Sequence, residues 1–365
     1  MNMACKTTPC WLILVLLGLL NIQQIEPREP KVPCYFIFGD SLVDSGNNNN
    51  LSTAAKTNYP PYGIDFPGGP TGRFTNGRTF TDFFAQFLGF ENFIPPFSTA
   101  KDEEVLQGVN YASGSAGILD ETGRNLGINI GFNKQIKNHL ITVSRIVSML
   151  KDQNLATKHL NKCLYSVAIG SNDYINNYYK PAFYTSSSTF SPEQYATVLI
   201  KQYAKQLKNL YGLGARTVTL SGLGPIGCTP DAIISHGTNG KLCVEEVNNV
   251  IQFFNNKLKQ LVDELNETFQ DAKFIFLDNF GPLLRRVSLL GTGSLLKLAA
   301  CCDVEMRTGQ CIPNKAPCRD RKFFLFFDNF HPSEAINFLV AKNHRTKLFR
   351  PSLKDIASDI RGLIP

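Results

Sequence analysis

Four short stretches of this chain carry side chains suited to acyl transfer. They are Gly39-Asp40-Ser41-Leu42, Asn110-Tyr111-Ala112-Ser113-Gly114-Ser115-Ala116-Gly117, Gly170-Ser171-Asn172-Asp173 and Asp328-Asn329-Phe330-His331. A serine hydroxyl is a weak nucleophile until a base takes its proton, and histidine serves as that base near neutral pH. A carboxylate fixes the histidine tautomer and stabilises the imidazolium. Asp328 and His331 stand three residues apart, close enough to meet within one turn or loop. A tetrahedral intermediate then needs donors for its oxyanion, each worth on the order of 3 kcal/mol. The backbone N–H groups of Ser41 and Gly114 and the side-chain amide of Asn172 are the candidates. On this reading Ser41 is the nucleophile, His331 the base and Asp328 its orienting acid.

Each stretch also has a plainer reading. Gly39-Asp40-Ser41 suits a strand end and a helix cap, Ser113-Gly114-Ser115 a turn, and Asn172 or Asp328 a helix N-cap. The chemical reading prevails because the four stretches occur together and in order, each at a plausible loop. The other histidines, His139, His159, His236 and His344, fall in or beside helical segments or in a Gly/Asn-rich loop, and they read as structural or solvated.

The elements around these stretches alternate. Tyr35-Phe36-Ile37-Phe38, Leu164-Tyr165-Ser166-Val167-Ala168-Ile169, Thr217-Val218-Thr219-Leu220 and Phe274-Ile275-Phe276-Leu277 are short apolar runs closed by Gly, Ser or Asp. That is the style of a parallel strand covered on both faces. Phe132, Ile136, Leu140, Val143, Val147 and Leu150 keep a helical period. Ser191-Pro192 predicts a helix start and Gly212 its end, Val247 to Phe269 carries a broad apolar face, and Ser333 to about Phe349 predicts a closing helix. Strand-helix alternation predicts a three-layer α/β/α sandwich around a parallel sheet. In such sheets the site lies just past the carboxyl ends of the strands.

The 365 residues show no low-complexity linker and no internal repeat, so residues 26–365 are read as a single domain. The net charge of +7 is dispersed, with no basic stripe, which excludes nucleic acid as a partner and leaves mild attraction to an acidic surface such as a pectin-like wall. Lys6 precedes the apolar run Trp11 to Leu20, too short to span a bilayer comfortably, and residues 1–25 are read as a secretory signal peptide cleaved between Leu20 and Pro30. No later segment is long and apolar enough to cross a membrane. The expectation is therefore a secreted, extracellular protein, with the cell wall as one destination. Of ten cysteines, Cys5 and Cys10 leave with the signal, and the remaining eight suit disulfides of unassigned pairing. Zinc is the rival, but there is no C-x-x-C and the histidines do not cluster with cysteines in sequence. No metal and no cofactor are expected. Asn50 and Asn266 open N-x-[ST] sequons and are glycosylation candidates.

Phe38-Gly39-Asp40-Ser41-Leu42-Val43-Asp44-Ser45-Gly46-Asn47-Asn48 resembles the first block of the plant GDSL esterase/lipases, within the SGNH hydrolases. Pro60-Pro61-Tyr62-Gly63 and Gly72 to Arg78 are similar to the segment after that block in plant members, and Asn110–Gly117, Gly170–Asp173 and Asp328–His331 resemble the later blocks. The resemblance spans nearly the whole mature chain. It implies a flavodoxin-like fold, carboxylic ester hydrolysis on Ser41, Asp328 and His331, and oxyanion donors at Ser41, Gly114 and Asn172. Ser115 stands where plant members often carry glycine. The expected partner is an ester: an acyl lipid, an acetylated glycan or a cutin-like polyester.

Three other readings are weighed. Gly222-Leu223-Gly224-Pro225-Ile226-Gly227 matches a dinucleotide-binding pattern, but Pro225 and Pro230 interrupt the helix that should open there. A catalytically silent wall-binding protein is opposed by the presence of every motif residue. An acyltransferase would use the same triad and differ only in the acceptor.

Overall fold

The computed structural model describes residues 30–292 and 295–348. The proposed signal peptide and Phe349, the expected end of the last helix, lie outside them. Four strands, β1 (Tyr35–Gly39), β2 (Leu164–Ala168), β3 (Thr217–Ser221) and β4 (Lys273–Leu277), pair in parallel in that order. The segment 107–113 runs along the other edge of β1. Ile37 N–H donates to Val109 O at 3.0 Å, and Tyr111 N–H and Ser113 N–H donate to Ile37 O and Gly39 O at 2.7 and 3.2 Å. Counted second in chain order, this segment makes the spatial order 2-1-3-4-5, which is flavodoxin-like. The order reverses between β1 and β2, where doubly wound sheets open a crevice at the strand ends.

Side chains of β1 alternate between two layers. Phe36 and Phe38 point into the larger core, and Tyr35 and Ile37 into the smaller one. The smaller core lies under α1 (Phe80–Leu88), and the larger under α2 (Phe132–Leu150), α3 (Pro192–Gly212) and α5 (Glu245–Thr268), with α4 (Pro230–His236) leading into the last of these. The chain continues through α6 (Phe280–Ser288) and closes with α7 (Glu334–Leu348), which packs on α1 in the smaller layer. The expected three layers are therefore present. Burying each large apolar side chain contributes about 1.5–3 kcal/mol, so the paired faces hold the sheet without need of a ligand. The start of α3 follows its sequence signal: Ser191 accepts from Gln194 N–H in a capping box, and Pro192 occupies the first turn.

The Phe323-to-Phe327 run does not join the main sheet. Phe324–Phe326 forms β6, paired in parallel with β5 (Lys297–Ala300). All eight cysteines among the described residues are bridged: Cys34 to Cys163, Cys228 to Cys243, Cys301 to Cys318 and Cys302 to Cys311. One histidine does sit among cysteines in space, since His159 Nε2 lies 3.3 Å from Cys34 Sγ. That group could hold a metal only as free thiols, and the Cys34–Cys163 bridge removes the thiolates a zinc site needs. The Gly222–Gly227 stretch leads into a short 3-10 turn, Ile226–Cys228, rather than a helix, which removes the helix N-terminus a pyrophosphate would require.

Candidate active site

Ser41 follows β1 in a tight turn: Leu42 N–H donates to Asp40 Oδ1 at 3.0 Å, and Asp44 N–H to Asp40 O at 3.0 Å. His331 reaches it from the segment between β6 and α7, and His331 Nε2 lies 2.8 Å from Ser41 Oγ. On the other side of the ring, His331 Nδ1 lies 2.7 Å from Asp328 Oδ2 and 2.9 Å from Oδ1. A carboxylate at Nδ1 places the proton there and leaves Nε2 to accept from the serine. The Phe74 ring packs at 4.9 Å on the imidazole.

Asp328 is fully buried and well satisfied. Its Oδ1 accepts from the N–H groups of Phe330 and His331 at 2.8 Å each. Its Oδ2 accepts from Tyr62 O–H at 2.6 Å, and Tyr62 O in turn accepts from Cys311 N–H at 3.0 Å. Four donors, counting His331 Nδ1–H, thus converge on one carboxylate, the condition under which a buried charge is tolerated. Sequence reasoning gave Tyr62 no role, and nothing in a chain separation of 266 residues links it to Asp328. The tyrosine sits on a peptide that packs against the 301–318 loop, whose two disulfides hold Cys311 in place.

Among the candidate oxyanion donors, Gly114 N–H is already occupied. Gly114 N–H donates to Asp44 Oδ2 at 3.0 Å, and Gly114 O accepts from Asn48 Nδ2 at 3.0 Å. Both backbone groups of Gly114 are therefore tied to the first sequence block, and its N–H is occupied by Asp44. The next residue, Ser115, holds a left-handed φ of 63° and lines the cavity with Ser41 and Asn172. Among the described residues, the N–H groups of Ser41 and Ser115 have no protein acceptor. The Asn172 amide is steered by two partners: Nδ2 donates to Ala116 O at 3.1 Å, and Oδ1 accepts from Asn176 Nδ2 at 2.7 Å. One Nδ2 hydrogen remains for a ligand. Asp173 fixes the loop beneath, accepting from Ile118 N–H, Leu119 N–H and the Thr122 hydroxyl.

A family model described as GDSL-like Lipase/Acylhydrolase matches residues 35–343. The chain belongs to this family. It is 47% identical over 336 residues to the Arabidopsis thaliana protein GDSL esterase/lipase At1g29670, covering 91% of this chain and 92% of that one. It is 46% identical over 334 residues to GDSL esterase/lipase At5g45670 of the same plant, covering 91% and 92%. A third, GDSL esterase/lipase At2g19050, is 48% identical over 313 residues, covering 86% and 87%.

In this GDSL-like chain Ser41 and His331 line a cavity of about 420 Å³ at the carboxyl ends of the strands. Three carboxylates lie buried beneath it. Burial pushes Asp40 up to about 7 and Asp44 and Asp173 up to about 6, against the hydrogen bonds that each accepts. Asp40 is the least satisfied, because its Oδ2 meets no protein donor. The remaining histidines stand apart from the chemistry. His139 and His344 are buried and pushed down to about 3 by desolvation, and His236 is exposed at the end of α4. The two sequons also differ. Asn50 is exposed, whereas Asn266 is committed to the fold, its amide donating to Phe274 O at 2.9 Å and accepting from Phe274 N–H at 2.8 Å. No helix among the described residues is long and apolar enough to cross a membrane.

Proposed function

We propose that the protein hydrolyses carboxylic esters through an acyl-enzyme on Ser41, outside the cell. The observation that carries this is the continuous chain from Ser41 Oγ to His331 Nε2 at 2.8 Å and from His331 Nδ1 to Asp328 at 2.7 Å. Membership of a lipase/acylhydrolase family supports the same chemistry. Ser41 Oγ attacks the carbonyl carbon as His331 Nε2 takes its proton. The developing oxyanion is held by Ser41 N–H, Ser115 N–H and Asn172 Nδ2, with Ser115 in the place first given to Gly114. His331 returns the proton to the departing alkoxide, and the alcohol leaves. Water then attacks the acyl-enzyme, His331 taking a water proton and giving it back to Ser41 Oγ as the acid departs. Asp328 holds the imidazole through Nδ1 and steadies the imidazolium. Export is supported by the short apolar run behind Lys6 and by four disulfides. Asn50 is the sequon we assign to glycosylation.

Fluorophosphonate labelling of the secreted protein tests the nucleophile. Wild type takes the label and Ser41→Ala does not, and labelling that survives in the variant sinks the assignment. Product analysis with an added alcohol separates hydrolysis from acyl transfer, because only free acid is expected to accumulate.

A further inference from the structure

Ser115 carries a side chain at a φ of 63°, in the region that favours glycine. Such a conformation persists only where its surroundings hold it. The holding group is one amide. Asn129 Nδ2 donates to Ser115 O and to Ser115 Oγ at 3.2 Å each, and to Thr122 O at 2.9 Å. Its two hydrogens thus serve three acceptors, while among the described residues no donor reaches its Oδ1. Gly123 leaves the room for this contact, since any Cβ there would collide with Ser115 O and crowd Asn129 Nδ2. The far end of the clamp is anchored. Thr122 is fully buried, and its Oγ1 donates to Asp173 Oδ1 at 2.7 Å and accepts from Asn177 Nδ2 at 3.1 Å. Asp173 is the neighbour of Asn172. One run of hydrogen bonds, Ser115–Asn129–Thr122–Asp173, therefore joins two of the proposed oxyanion donors to a common frame.

We infer that Asn129 is a positioning residue for the reaction: its amide fixes the Ser115 peptide relative to Asn172, so that both donors serve one oxyanion. This rests on the acyl-enzyme chemistry proposed at Ser41 and on Ser115 N–H as a donor. Asn129 is absent from the lining of the catalytic cavity and lines a separate concavity with Arg124, Asn133 and Lys134. Its effect on the reaction passes through Ser115. An oxyanion carries more charge in the transition state than the ester carbonyl does in the ground state. A displaced donor therefore costs kcat and leaves KM nearly unchanged.

The test compares Asn129→Leu and Asn129→Asp with wild type on p-nitrophenyl acetate, using the whole secreted protein. Leu removes the donor. Asp keeps the shape and turns an acceptor toward three oxygens, so one readable variant remains if the other does not fold. The final extent of fluorophosphonate labelling counts competent sites, and turnover is read per labelled site. We expect kcat per site to fall about tenfold to a hundredfold, as for a donor displaced rather than deleted, with KM within about twofold of wild type. A trifluoromethyl ketone, which takes Ser41 Oγ at its carbonyl carbon and leaves an oxyanion, should bind more weakly by about the same factor. Asn129→Leu combined with Asn172→Ala should lose much less than the product of the two single losses, because each residue acts on the same pair of donors. An unchanged kcat per site with lowered thermal stability leaves Asn129 as scaffold and overturns the positioning role. A loss confined to KM, or strictly multiplicative losses in the double variant, overturns it as well. Ser41 labelling stands in all of those cases and the hydrolase reading with it. Labelling that survives Ser41→Ala removes both.

Discussion

Tyr62→Phe removes a single oxygen from the second layer of the triad. Tyr62 is 1% exposed and Asp328 fully buried, so no solvent replaces the lost hydroxyl readily. Asp328 Oδ2 gives up its 2.6 Å donor and keeps only His331 Nδ1, while Cys311 N–H gives up its 3.0 Å acceptor. A hydrogen bond to a charged group contributes about 1.5–3 kcal/mol, and an orphaned buried donor costs about 1–3 kcal/mol. Because the two losses share one oxygen and the site relaxes, we expect a net stability loss of about 2–4 kcal/mol. Activity should suffer by a different route. With one oxygen of Asp328 less restrained, the carboxylate orients the imidazole less sharply, and kcat on p-nitrophenyl acetate should fall about tenfold, equivalent to about 1.4 kcal/mol, with KM little changed. Urea unfolding and steady-state kinetics on the same preparation read both quantities. A variant that loses the stability yet keeps wild-type kcat refutes the positioning role and leaves Tyr62 as scaffold.

The oxyanion donors and the buried acids give further tests. Asn172→Ala should lower kcat by about 10²–10³ with KM nearly unchanged, as loss of one preorganised donor does; a tenfold or smaller effect in steady-state kinetics would remove Asn172 from the set. Ser115→Gly should keep activity, because the proposed donor is the backbone N–H. Relief of the left-handed φ, about 1 kcal/mol, offsets the lost 3.2 Å bond from Asn129 to the hydroxyl, so thermal unfolding should shift little. Collapse of kcat in Ser115→Gly would implicate the hydroxyl itself. Asp40, raised to about 7 by burial, binds its proton more tightly folded than unfolded, so its contribution is favourable below about pH 4 and is lost as pH climbs through about 7. Asp40→Asn should therefore stabilise the fold more at pH 7.5 than at pH 5 in urea titrations, and an equal change at both values would contradict the burial argument.

Much of this was legible in the sequence because it is local. The strands announce themselves as short apolar runs, and Ser191-Pro192 marks a helix start by chemistry that acts within one turn. Asp328 and His331 are three apart, so their meeting needed no knowledge of the fold. The edge segment 107–113 was not legible, since Val109, Asn110 and Tyr111 are too few to show a strand period and it pairs mainly through Ile37 and Gly39. Gly114 and Ser115 are adjacent, and the acceptor that occupies the Gly114 N–H comes from Asp44, 70 residues earlier. The Tyr62–Asp328 bond and the disulfide pairing depend on where distant loops land, which no local pattern encodes.

The site is also assembled from the two ends of the chain. Ser41 follows the first strand, and His331 lies 290 residues later, just before α7. The same distant partners are tied by Arg78 to Glu334 at 2.7 Å and by Glu334 N–H to Asn76 Oδ1 at 2.8 Å. During synthesis Ser41, the proposed nucleophile, emerges early and stays without His331, its proposed base, until most of the chain has left the ribosome. A nascent or truncated chain therefore carries Ser41 without His331, and the proposed chemistry stays silent until the segment before α7 docks.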